Sequence, residues 1–73
     1  MKKINFNYMF LKDKIKKNYG TQAAFAKAIG VSNQELSNKL SNKTSFSQEQ
    51  ILIAMKLLSL DENGVYVCFF NVE

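Results

Sequence analysis

Between Asn7 and Ser59 the apolar residues recur at steps of three and four, and glycines or short runs of Ser, Thr and Asn interrupt them. That pattern predicts several short amphipathic helices rather than strands. The first runs from about Asn7, a good N-cap residue, to Asn18. Tyr8, Leu11, Ile15 and Tyr19 lie along one face and Lys12, Lys14, Lys16 and Lys17 occupy the others. Gly20 ends it, because glycine tolerates the left-handed backbone that follows a last helical turn. Thr21 caps a second helix, Gln22 to Ile29, whose inward residues are Phe25 and Ile29 and whose alanines leave room for a close neighbour. Gly30 stops this helix. Ser32 and Glu35, three apart, form a capping box that opens a third helix to about Leu40.

Ser47 caps a fourth helix, Gln48 to about Ser59, which is apolar around most of its circumference through Ile51, Leu52, Ile53, Met55, Leu57 and Leu58. A helix of this kind must be covered on more than one side. The last segment starts with DENG, a turn or a single helical turn capped by Asp61, and continues VYVCFFNVE, β-branched and aromatic enough to be extended; five helices and four plus a strand both fit, and a short helical turn followed by an extended tail is favoured. The expected architecture is one all-α domain of four to five helices with a short extended C-terminal tail over about residues 61–73.

A chain of 73 residues leaves no material for a second core. Apolar residues at 47% and charged residues at 22% are ordinary for a globular chain, but a core this small is marginal, and a second subunit, joined through a dimerisation tail over about residues 61–73, would cover the fourth helix together with Val65, Val67, Phe69 and Phe70. The sequence has no histidine, tryptophan or proline and a single cysteine, Cys68. Zinc sets, intrachain disulfides and Ser-His or Cys-His pairs are therefore excluded, and with no paired carboxylates or phosphate-cradling glycine loop an enzyme is not expected. No cofactor and no metal are expected either. The longest apolar run, Val65 to Phe70, is far too short to span a bilayer, and the start MKKINFNYMFLK lacks a signal-peptide cleavage site. Both features point to a cytoplasmic protein.

Charge divides the chain. Residues 1–46 hold nine lysines against Asp13 and Glu35, a net of +7, whereas residues 47–73 hold Lys56 against Glu49, Asp61, Glu62 and Glu73, a net of −3. The basic half is the natural seat for an anion. Within it, residues 22–40 read QAAFAKAIGVSNQELSNKL. Small Ala26 permits two helices to cross, Gly30 permits the turn, and Phe25, Ile29, Val31 and Leu36 form a shared buried wedge. This is the logic of a helix-turn-helix over about residues 21–40, in which the third helix is held out to enter a DNA major groove.

The stretch resembles the helix-turn-helix of phage repressor and Cro-type regulators. The segments FNYMFLKDKI, YGTQAAFAKAIGVS, LSNKLSNKTSF and CFFNVE extend the similarity to the small Cro-like regulators of phages and prophages of Gram-positive bacteria. The resemblance implies a lambda-repressor-like domain, binding to a double-stranded DNA operator as a homodimer, and a role in the choice between lysogenic and lytic expression. One position departs from the pattern: Lys39 stands where many members of the wider superfamily carry a bulky apolar residue.

Carried onto this chain, the resemblance makes Asn33, Gln34, Ser37 and Asn38 the base readers. Amides can bond N6 and N7 of adenine, and without any arginine the contacted positions should lean towards A·T. Thr21, Gln22, Ser32, Lys39 and Lys43 are expected at phosphates, the first three through helix N-termini and the lysines through charge. An alternative keeps the helix-turn-helix but uses it in an antirepressor, or modulator, that acts by binding another repressor protein. An apolar third-helix surface would favour that alternative, and the polar surface expected here favours DNA.

Overall fold

The computed structural model describes residues 4–72 and contains five helices in the order α1 (Met9–Tyr19), α2 (Gln22–Ile29), α3 (Asn33–Leu40), α4 (Gln48–Leu57) and α5 (Glu62–Phe69). Lys2, Lys3 and Glu73, counted in the charge balance, lie outside the described residues. The core is filled from every helix. Leu11 of α1, Phe25 of α2 and Leu36 of α3 are its largest fully enclosed side chains, joined by Ile15, Ile29, Leu40, Ala54, Cys68 and Phe69. Helix α2 is central: α1, α3 and α4 all pack on it, while α5 closes the other side of α1 and α4.

The capping residues act as their spacing predicts. The Thr21 hydroxyl accepts from the Ala24 amide at 3.1 Å. Ser32 and Ser47 each form a reciprocal capping box, with Glu35 and Gln50 respectively. At α1 the cap is shifted by one residue. Tyr8 occupies the cap position and the Asn7 side chain accepts from the Met9 amide, so Asn7 shapes the entry turn rather than the first helical residue.

In the C-terminal segment the helical turn expected at Asp61 continues to Phe69, which makes a fifth helix and shortens the expected extended tail. Residues Glu62–Phe69 are helical, started by Asp61, whose carboxylate accepts from the Gly64 amide at 2.7 Å. The physical reason is burial. Val65, Cys68 and Phe69 fall at i, i+3 and i+4, so a helix turns all three towards the core, whereas a strand would split them between two faces. Tertiary packing thus overrides the local preference of β-branched residues for strand. Only the last described residues are extended: Val72 forms a single antiparallel bridge with Phe6, and the Asn7 amide donates to the Asn71 carbonyl at 2.6 Å.

Helix α5 also supplies, within one chain, part of the cover that α4 requires. Ala54, Leu58 and Leu60 are buried, Ile51, Ile53, Met55 and Leu57 are half-buried, and Leu52 remains exposed. The termini are joined by a run of aromatic edge contacts. The Phe46 ring lies 5.5 Å from Tyr8 and 5.1 Å from Phe69, and Phe6 meets Phe70 at 6.5 Å. These edge-to-face pairs place the positive ring edge on a negative ring face and add to simple burial.

Burial raises the ionisation of two groups above their ordinary values, the Tyr8 phenol and the Cys68 thiol, the latter partly offset by the Lys14 ammonium. Each is an acid that the fold holds neutral. Their stabilising share is complete below the unfolded thiol value of 9.0 and is lost as pH rises through the folded value, because the unfolded chain releases the proton first. Thermal melts should therefore fall off above about pH 9, the ordinary thiol range, and Cys68→Ala should delay the onset. A melting temperature independent of pH up to about 10.5, past the ordinary values of both groups, would contradict this.

Candidate functional site

Helices α2 and α3 meet at a corner set by three residues. Ala26 is 1% exposed where the helices cross. Gly30 adopts φ 83°, ψ 27°, the left-handed conformation, and its amide and that of Val31 return to carbonyls in the last turn of α2. Val31 then tucks against the core and Ser32 starts α3. The short link and the buried wedge of Phe25, Ile29 and Leu36 fix α3 with its other face in solvent.

On that face Asn33, Gln34 and Ser37 are exposed and Asn38 is half-buried. The amides pair with one another. Gln22 Nε2 donates to Asn33 Oδ1 at 3.1 Å, bridging α2 and α3, and Gln34 Nε2 donates to Asn38 Oδ1 at 3.1 Å along α3. The Asn38 carbonyl in addition receives the Lys43 amide at 2.9 Å and the Ser41 hydroxyl at 3.1 Å. The surface is a row of neutral donors and acceptors, rigid at its caps and already hydrogen-bonded within itself.

Among the residues expected at phosphate, Thr21, Ser32 and Lys43 are exposed and Gln22 is half-buried. The side-chain oxygens of Thr21 and Ser32 are engaged in capping. Lys39 is a correction. It is only 9% exposed, its ammonium donates to the Ser45 carbonyl at 2.9 Å, and it lies 5.8 Å from the centre of the Phe46 ring. The side chain is drawn inwards because position 39 stands at i+3 from Leu36 on the buried stripe. A lysine there covers the core with its stem and satisfies its charge on a loop carbonyl. Lys39 is thus a strut between α3 and the loop to α4.

One feature has no counterpart in the sequence pattern. Asn42 has φ 66° and grips the backbone of Phe6, accepting from its amide at 2.9 Å and donating to its carbonyl at 3.0 Å. The apolar surface outside the core is also unevenly distributed. Among the described residues the large exposed hydrophobics are Ile4, Met9, Phe10, Tyr66, Val67, Phe70 and Val72, all near the start of α1 or on α5 and its tail, together with Leu52. The run VYVCFF predicts surplus apolar surface here, and the helix decides which residues carry it: Tyr66, Val67 and Phe70 face outwards while Val65 and Phe69 turn to the core.

Comparison with known proteins sets this geometry in context. Residues 4–72 match the family described as "Protein of unknown function (DUF739)". No functionally curated protein matches. The solution structure of the modulator of repression (MOR) of the temperate bacteriophage TP901-1 from Lactococcus lactis is similar, with 36% sequence identity and a TM-score of 0.77 over 90% of this chain and 89% of that chain. The two share the all-α fold of a small phage regulator. With all but the extreme residues of the chain matched, this protein belongs to the DUF739 family and is a relative of that phage modulator.

Proposed function

We propose that the protein is a phage-type regulator that acts as a modulator of repression, binding a partner repressor and withdrawing it from its operator, with no catalytic step of its own. The observation that carries this reading is the similarity to a modulator of repression, 36% identity along 90% of the chain. The polar face of α3 does not count against it. Amide side chains that can read a base edge can equally bond the polar surface of another protein. The internal pairs Gln22–Asn33 and Gln34–Asn38 mean that base reading would first exchange existing hydrogen bonds.

A second reading is a Cro-like repressor that binds its operator directly, as a homodimer through residues 61–73, with α3 in the major groove. It is favoured by the helix-turn-helix corner and by the exposure of Asn33, Gln34 and Ser37 beside Lys43. A gel-shift titration separates the two. Under the leading reading, the protein releases its partner repressor from labelled operator at concentrations where, alone, it shifts the same DNA no better than random duplex. A specific shift by the protein alone, weakened by about 1–3 kcal/mol in Gln34→Ala on operator but not on random DNA, would establish direct readout instead.

A further inference from the structure

Of the eight asparagines in the chain, Asn63 alone is followed by glycine. Gly64 has no positive φ, so packing and not backbone freedom selects it: a Cβ there would lie 3.2 Å from both Asp61 Oδ1 and Leu60 Cδ2. The pair occupies the first turn of α5, where amides have no carbonyl partner within the helix. The Val65 amide is the first to reach back, to the Asp61 carbonyl at 2.9 Å, whereas the Gly64 amide is held by the Asp61 carboxylate at 2.7 Å. Asn63 itself is exposed. An exposed asparagine before an unshielded glycine nitrogen is chemically labile, and a single side chain holds that nitrogen in place.

We propose that Asn63 is a site of spontaneous deamidation gated by the Asp61 cap, and that its isoaspartyl product disables the start of α5. The inference is independent of whether the chain acts on a protein or on DNA. Water is the sole co-reactant. The Gly64 nitrogen attacks Cγ of Asn63, the Cγ–Nδ2 bond breaks, the Gly64 amide proton passes through water to Nδ2, and ammonia leaves a cyclic succinimide. Water then opens the ring at Cγ, giving aspartate, or at the main-chain carbonyl carbon of residue 63, giving isoaspartate, in which the chain runs on through Cγ. Ring closure requires ψ of Asn63 to leave the helical range, so it proceeds from the frayed first turn, and the cap that holds the turn sets the rate. The two products differ in consequence. Aspartate adds a carboxylate at a helix N-terminus, where the dipole favours it. Isoaspartate inserts a methylene into the main chain ahead of Val65, and α5, eight residues long, must then restart beyond it with little more than one turn to carry Val65, Cys68 and Phe69.

The test is to keep the purified protein at mildly alkaline pH, which favours the attacking nitrogen, and to follow each asparagine by peptide mapping and mass spectrometry, with isoaspartate detected by enzymatic methylation. Position 63 should convert first among the eight asparagines, and more slowly in the folded protein than in the chain held in guanidinium. Asp61→Ala should speed conversion about fivefold, the rise in frayed turn expected from loss of a cap, whereas Asp61→Asn, which keeps a capping side chain, should stay near the wild type. Asn63→Gln should block conversion at this position and keep the melting temperature of aged samples at its fresh value. Earlier conversion at another asparagine of the folded protein would overturn the assignment of the site. Equal rates in folded and denatured protein would overturn the gate, and so would slower conversion in both Asp61 variants, which would make the carboxylate the base for ring closure. Isoaspartyl protein that is separated by chromatography and melts like fresh protein would overturn the claim that the product disables α5.

Discussion

Replacing Phe25 by alanine should lower stability by about 3–5 kcal/mol, the range for truncating an enclosed aromatic side chain. The residue is fully buried, and its ring meets Tyr19 edge-on at 5.2 Å, so the substitution removes the wedge that joins α1, α2 and α3 and leaves a cavity among three helices. A domain of this size has a total stability of roughly 4–11 kcal/mol on a per-residue basis, so much of the folded population is at stake. The melting temperature should drop by at least ~12 °C in circular dichroism. Phe25→Leu should cost far less, because most of the volume is kept. A drop of under about 1 kcal/mol in Phe25→Ala would mean that the site collapses around the gap and that the α2–α3 corner does not depend on this side chain.

The corner was legible in the sequence because each of its parts has a local mechanical cause. Thr21, Ser32 with Glu35, and Ser47 are capping signals that act over three residues, and Gly20 and Gly30 both adopt positive φ where the helices stop. Nothing distant is needed to read them. Helix α5 was not legible in the same way. Its residues prefer strand, and only the core contacts of Val65, Cys68 and Phe69 select the helix. The i, i+3, i+4 spacing was present, but a short run in which every residue is apolar hides its own period.

The surface was legible in composition and not in arrangement. The amides of α3 stand where the spacing placed them, but their pairing with Gln22 and with each other depends on the crossing of α2 and α3, which sequence spacing does not specify. Lys39 illustrates the same limit. A lysine beside a leucine reads as surface charge, yet its place on the stripe with Leu36 and Leu40 makes it inward, and the Ser45 carbonyl that receives its ammonium lies beyond the end of the helix. The departure at position 39 from an apolar residue is resolved physically: the stem fills the role of the missing apolar side chain and the charge ties down the loop.

Asn42→Ala should rank beside Phe25→Ala among the damaging changes, at about 2–5 kcal/mol, because it removes two effects at once. The side chain holds both polar groups of the Phe6 backbone across 36 positions of sequence, and Phe6 in turn bridges Val72. One residue thus secures the α3–α4 loop to both ends of the described chain. Each lost hydrogen bond is worth about 0.5–1.5 kcal/mol, and forcing alanine to keep the left-handed φ of 66° adds about 1–2 kcal/mol that asparagine, and still more glycine, largely avoids. Asn42→Gly separates the contributions, since it keeps the backbone conformation and loses only the grip on Phe6. Chemical denaturation should rank the wild type above Asn42→Gly and Asn42→Gly above Asn42→Ala, and both variants should show faster amide exchange at Phe6. Equal stabilities for the two variants would show that the backbone conformation carries no cost. An unchanged midpoint in both would show that the clamp follows from the packing of Phe6 against Tyr8 and Phe70 and does not cause it.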